Sequence, residues 1–164
     1  MNTDTLSNRH VIGGALIIGL ALFAITGITT SGTTSTANSI IQNVDATVYK
    51  SPNCGCCGAW AQYARSQGMN VEVKEVNNLD QIKDEHNVPE ELSSCHTTVL
   101  DDYVVEGHVP VESIARLLEN EPDVSGIGLP GMPQGSPGMP GPKQGDWQIS
   151  SFTESGNIEA FMTV

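Results

Sequence analysis

Ala46-Thr47-Val48-Tyr49-Lys50-Ser51-Pro52-Asn53-Cys54-Gly55-Cys56-Cys57-Gly58-Ala59-Trp60 carries three of the four cysteines of the chain. Ala46–Lys50 reads as a short strand. Cys57–Gln67 reads as a helix that stops at Gly68, a residue suited to the left-handed position after a helix end. A strand that delivers cysteines to a helix N-terminus sets them against unpaired backbone N–H groups and the positive end of the helix dipole. Both favour thiolate over thiol, and thiolate is at once the nucleophile and the metal ligand. The fourth cysteine, Cys95, stands beside His96 far along the chain. The reading requires the fold to bring Cys95-His96 back to the first cluster.

The flanking pattern supplies the order of elements. Met69–Val76 alternates apolar and polar residues, as a half-buried strand does. Asn78–His86 predicts a short helix with Leu79 and Ile82 on one face, ended by Asn87-Val88-Pro89. Thr97–Leu100 and Tyr103–Glu106 predict a hairpin through Asp101-Asp102, which read as turn residues and not as an acid–base pair. Val111–Asn120 is amphipathic, with Ile114, Ala115, Leu117 and Leu118 apolar and Pro110 at its first turn. The order β-α-β-α-β-β-α, with the C-x-x-C of Cys54 and Cys57 opening the first helix, predicts an α/β domain of thioredoxin-like type. Gly and Pro dominate Gly126–Gly145, so no helix or sheet interior is expected there. Within it Pro130-Gly131-Met132-Pro133 recurs as Pro137-Gly138-Met139-Pro140. Trp147–Phe152 and Asn157–Val164 predict a closing hairpin around Glu154-Ser155-Gly156, packed on the domain.

Upstream, residues 1–10 form a short polar flank on the cytoplasmic side. Val11–Ile28 is uncharged and, as a helix, about 27 Å long, close to the hydrocarbon core of a bilayer. It is read as a transmembrane anchor or an uncleaved signal; a cleaved signal peptide is the alternative, with Ser35-Thr36-Ala37 as a passable cleavage site. Arg9 on the short side agrees with the positive-inside rule. Residues 29–43 are rich in Ser and Thr and read as a flexible spacer. Residues 44–164 form the domain, which faces the extracytoplasmic side, anchored to the membrane, or secreted if the segment is cleaved. The chain of 164 residues suits one domain plus appendages. With 19 acidic against 7 basic residues and a net charge of −12, it has no basic surface to follow a phosphate backbone, which argues against a nucleic-acid partner.

The chemistry follows from side-chain type. In a thioredoxin-like fold a proline usually occupies the loop that enters the third strand and faces the C-x-x-C turn. Here that loop is Ser93-Ser94-Cys95-His96-Thr97. Cys54, Cys56, Cys57, Cys95 and His96 together have the softness for Cu(I) or Zn(II). Adjacent Cys56 and Cys57 are not expected to converge on one ion, so one of the first three cysteines should lie outside a four-coordinate site or bridge a second metal. The thioethers of Met132 and Met139 lean the choice toward Cu(I), although both could instead fill gaps under a loop. His108, in Glu106-Gly107-His108-Val109-Pro110, is a candidate ligand or a partner to one. Such a protein would sequester the ion or exchange it with a metal-donor or acceptor protein. Two other functions compete. One is a thiol–disulfide oxidoreductase in which Cys54 attacks and Cys57 resolves. The other is an interaction domain stabilised by disulfides, such as one from the triplet to Cys95. Trp60 is expected in the core, His86 at the surface and His10 in the flank.

Four stretches carry a family resemblance: Tyr49–Trp60, Ser94–Thr97, Tyr103–Pro110 and Leu129–Met139, in that order. With them the chain resembles the domain-of-unknown-function 411 family of predicted metal-binding, copper-associated proteins. The resemblance implies that Cys54, Cys56, Cys57, Cys95, His96, His108, Met132 and Met139 sit in motifs, and it points to copper homeostasis or resistance.

Overall fold

The structure, a computed structural model, describes residues 39–164. The flank 1–10, the hydrophobic segment 11–28 and most of the spacer lie outside the described residues. Among the described residues, no helix is long and apolar enough to cross a membrane.

The elements run β1 (Asp45–Lys50), α1 (Gly55–Ser66), β2 (Asn70–Glu75), α2 (Leu79–Glu85), a 3-10 turn (Glu90–Leu92), β3 (His96–Leu100), β4 (Tyr103–Glu106), α3 (Val111–Asn120), β5 (Gly126–Gly128), β6 (Gln148–Phe152) and β7 (Ile158–Thr163). Through α3 this is the predicted order. The strands form one seven-stranded sheet, β2-β1-β3-β4-β5-β6-β7. The β6–β7 hairpin extends that sheet, and Trp147 and Val164 exchange backbone hydrogen bonds of 2.9 and 3.0 Å to close it.

Register decides where the chemistry gathers. β1 runs parallel to β2 and antiparallel to β3, with Lys50 opposite His96. β3 and β4 are antiparallel, with Thr97 opposite Glu106. β5 runs parallel to β4, with Glu106 opposite Gly128. The end of β1, the start of β3 and the ends of β4 and β5 therefore lie side by side. The cysteine turn, Cys95-His96, His108 and the Pro-Gly-Met repeats all leave or enter the sheet at that one edge.

The core is aliphatic around one large aromatic. Val48, Ala61, Leu100, Val105, Ile114 and Ile127 pack with Trp60, all buried. Each such side chain contributes roughly 1.5–3 kcal/mol when fully buried, alanine less. The Trp60 indole N–H donates to Val109 O at 2.9 Å, so its one polar atom is satisfied.

Four sequence expectations need correction. Helix α1 begins at Gly55, ahead of Cys57, because Cys54 caps it: the Cys54 sulfur accepts the Cys57 N–H at 3.3 Å. Gly126–Gly128 is an interior strand between β4 and β5's other neighbour, β6, despite its glycines. A Cβ on Gly126 would strike Val104 O and come within 2.8 Å of the Phe152 ring, so glycine is what lets these strands meet. The domain begins before residue 44. Ile41 is 0% exposed, the Gln42 amide donates to Gln67 O at 3.0 Å, and Asn43 N–H donates to Gly68 O at 2.9 Å. Finally, the buried residue of α2 is Lys83, while Leu79 and Ile82 are half-buried. A helix face predicted to be apolar thus carries an ion pair inward.

Tyr63 links α1 to α3, its hydroxyl oxygen accepting the Val111 N–H at 3.1 Å. Burial, the largest cause, pushes its phenol up to about 12, with Glu112 adding to the rise and the Val111 bond opposing it. The folded protein therefore keeps this proton after the unfolded chain has lost it, and stability falls as pH rises from about 10 to about 12. Tyr63→Phe should cost about 1 kcal/mol at neutral pH. It should also flatten the loss of stability in that alkaline window, as urea titrations at stepped pH would show.

Candidate metal centre

Cys54 and Cys57 are joined as a disulfide with Cα atoms 5.4 Å apart, while Cys56 and Cys95 are free thiols. Cys56 Sγ lies 3.6 Å from Cys54 Sγ and 3.9 Å from Cys95 Sγ. Cys57 Sγ lies 3.2 Å from the Cys95 carbonyl oxygen. All four sulfurs fall within 4.8 Å of one another. All three cysteines of the triplet are thus near enough to share a site with Cys95, whether one of them stays outside a four-coordinate site or bridges a second metal. With Cys54 at the cap and Cys56 and Cys57 in the first turn, the tight bend folds all three sulfurs to one side.

A second group overlaps the first. Cys95 Sγ is 3.0 Å from His108 Nε2 and 3.5 Å from His96 Nδ1, and one ligand atom from each of the three residues lies within 4.8 Å of the others. Cys95 is the member common to both groups. The disulfide takes Cys54 and Cys57 out of ligation, leaving Cys56, Cys95, His96 and His108; reduction restores four thiols.

The histidines are in the form a metal needs. His108 Nδ1–H donates to Pro137 O at 2.7 Å, so the bare Nε2 lone pair faces Cys95. Burial lowers the His108 pKa, with the Pro137 bond opposing. His96 is packed against Trp60, ring centroids 4.9 Å apart, and edge-on to His108 at 5.0 Å. Burial first, then His108 and Lys83, hold His96 far below the usual histidine range. Its Nδ1 faces Cys95, while its Nε2, which points away around the ring, is buried with no hydrogen-bond partner. Cys95 moves the other way: burial, then the neighbouring Cys56, push its thiol up to about 12. Without a metal it keeps its proton, and a bound cation would displace it.

The Pro-Gly-Met repeats have a structural logic. Gly131 (φ +72°) and Gly138 (φ +83°) both take left-handed backbone. Ser94 Oγ–H, beside Cys95, donates to Gly131 O at 2.5 Å. Gly138 sits on the first turn of α1, where a Cβ would come within 2.6 Å of Trp60 N and 2.7 Å of Cys56 O. Each repeat thus rests on one cysteine-bearing segment. Met132 is 52% exposed and Met139 half-buried. Gly138→Ala should therefore lower stability well beyond Gly131→Ala, whose added Cβ meets nothing within 4 Å. Both lose about 1–2 kcal/mol to left-handed strain, but only Gly138→Ala must also lift the loop off α1. Equal urea midpoints for the two variants would refute this.

Sequence reading missed three charged residues behind the centre. Lys50 is buried and donates to Ser51 O at 3.0 Å, Pro52 O at 3.3 Å and Glu75 at 3.0 Å, which fixes the turn that leads into Cys54. Lys83 and Glu106 form a buried ion pair, and Glu106 also accepts the N–H of Ser94, the residue before Cys95. Glu106 had a signal, an acid closing a strand that otherwise reads apolar; the lysines had none.

The family described as protein of unknown function, DUF411, matches residues 92–139. Two solved structures, of copper resistance protein CopG in form 1 and form 2, are each 35% identical to the chain. Their TM-scores are 0.69 and 0.70; each covers 75% of this chain, which spans 98% and 99% of theirs. No curated protein matches.

Proposed function

The chain belongs to the DUF411 family, with solved relatives named for copper resistance, and from that premise we propose that it is a soft-metal-binding protein holding Cu(I). The observation that carries this is the place of Cys95, within reach of Cys56 Sγ on one side and His108 Nε2 on the other. Thiolate and imidazole suit Cu(I), and the two overlapping ligand groups suit more than one ion bridged through Cys95. Cys54, Cys56, Cys57, Cys95, His96 and His108 are the proposed ligands, with the thioethers of Met132 and Met139 joining them. Zn(II) is the weaker candidate. The parallel β1–β2 pair, the antiparallel β3 and β4, and the C-x-x-C at the start of α1 support a thioredoxin-like assignment. The hydrophobic run Val11–Ile28 supports an anchored, extracytoplasmic domain that sequesters copper or hands it to a partner protein.

A second reading is favoured by one observation, the Cys54–Cys57 disulfide at the helix start: a thiol–disulfide oxidoreductase. The deciding experiment titrates the reduced full-length protein with Cu(I) and Zn(II) against competing chelators and reads stoichiometry by native mass spectrometry. Cu(I) held more tightly than Zn(II) is expected. Failure to bind either ion, with a Cys54/Cys57 pair that cycles readily against glutathione, would transfer the assignment to the oxidoreductase.

A further inference from the structure

Cys95 is carried on a loop, not on a strand. The β1–β3 ladder begins at His96, so the Ser94 N–H has no strand partner, yet a backbone N–H in such a place needs an acceptor. It finds one in a side chain: Glu106 Oε1 accepts the Ser94 N–H at 2.6 Å. Glu106 is 0% exposed, and its carboxylate is held from two more sides. The Lys83 ammonium of α2 donates to the same oxygen, and Thr97 Oγ1–H of β3 donates to Oε2 at 2.7 Å. Lys83 also lies 3.2 Å from Thr97 Oγ1. The main chain around Glu106 is tied in as well. Its carbonyl accepts Leu129 N–H at 3.1 Å, and Gly107 N–H donates to His96 O at 3.0 Å. The segments bearing Cys95-His96, His108 and the methionine repeats all meet at this residue.

We propose that Glu106 is the positioning residue of the metal centre: its carboxylate, fixed by Lys83 and Thr97, holds the Ser94-Cys95 backbone so that the Cys95 sulfur faces both Cys56 and His108. This rests on the metal-binding reading above. Stability alone does not account for the pair, because a buried ion pair can commonly be exchanged for apolar residues of similar volume without loss. What an apolar pair cannot do is accept the Ser94 N–H. Glu106 touches no ligand atom of the centre and acts through the loop.

The test uses two paired variants of the full chain, Lys83→Met with Glu106→Leu and Lys83→Met with Glu106→Gln. Both remove the two charges together, but only glutamine keeps an oxygen for Ser94. The leucine pair should melt cooperatively and lose about 10–100-fold in Cu(I) affinity, the usual penalty for losing a residue that orients a ligand, with a changed copper–thiolate absorption. The glutamine pair should stay within about threefold of wild type, as a restored hydrogen bond requires. Wild-type affinity and absorption in the leucine pair, or equal losses in both pairs, overturn the proposal. If the leucine pair does not fold, the glutamine pair decides: wild-type-like affinity supports the proposal, and a loss above about tenfold defeats it. Alkylation of Cys95 in the reduced, metal-free protein, read by peptide mass spectrometry, separates the two ideas. Faster Cys95 alkylation in the leucine pair alone, in a protein whose wild type binds no Cu(I), would sink the metal reading and leave the positioning role standing.

Discussion

If the proposed centre holds Cu(I), Cys95→Ser should lower that affinity by about a hundredfold or more, while the metal-free protein should stay within about 1 kcal/mol of wild type. The size follows from ligand count. A structural four-ligand zinc site binds its metal by roughly 10–16 kcal/mol, or about 2.5–4 kcal/mol per ligand, which sets the scale here, and 1.4 kcal/mol is tenfold. Cys95 is no ordinary ligand in that division, because both groups of converging atoms contain it. Removing Cys56 spoils one group and leaves Cys95, His96 and His108 together; removing Cys95 spoils both. Cys56→Ser should therefore lose less than Cys95→Ser. The metal-free protein is spared because serine is close in size and its hydroxyl can donate to His108 Nε2, as the thiol does across 3.0 Å. Competition with a Cu(I) chelator measures the affinity, and urea unfolding the stability. A Cys95→Ser protein that binds within about threefold of wild type would remove Cys95 from the centre.

What the sequence discloses about this molecule divides by physical range. The alternation in Met69–Val76 and the amphipathic stripe of Val111–Asn120 are local signals, and the strand and helix they predict are present. From the element order comes the convergence of Cys54, Cys95 and His108, since strand direction alone brings those chain ends to one sheet edge. Features that depend on another part of the chain could not be read this way. Gly126–Gly128 has the composition of a loop, and it is the neighbouring Val104 and Phe152 that make it a strand. Ile41 lies in a Ser- and Thr-rich stretch that gives no hint of its burial. Lys83 on an exposed-looking helix turns inward only because Glu106, 23 residues later, is there to meet it.

That same pair carries the largest expected effect on stability. Lys83→Met alone should destabilise the fold by about 3–5 kcal/mol, the range for breaking a buried pair by removing one partner. On a domain of this size that lowers the melting temperature by on the order of 10 °C or more. The cost comes from what is left behind. Glu106 is fully buried, and burial already pushes its carboxyl above the usual range, against the pull of Lys83, Thr97 and Ser94. Without the ammonium, the strongest opposing influence is gone. The carboxylate must then stay charged in a dry site or take up a proton, and a protonated Oε1 would contest the Ser94 N–H it now accepts. Proton uptake limits the loss, which is why the figure is a few kcal/mol and not the far larger cost of an isolated buried charge. Adding Glu106→Leu to Lys83→Met should therefore restore part of the stability: no orphaned charge remains, although the Ser94 N–H and the Thr97 hydroxyl lose their acceptor. Such a reversal, a second substitution repairing the first, is the signature of a coupled pair in a double-mutant cycle. If Lys83→Met costs less than about 1 kcal/mol, or the two losses simply add, then the ammonium and the carboxylate are not energetically joined, and the Cys95 loop depends on Glu106 without help from α2.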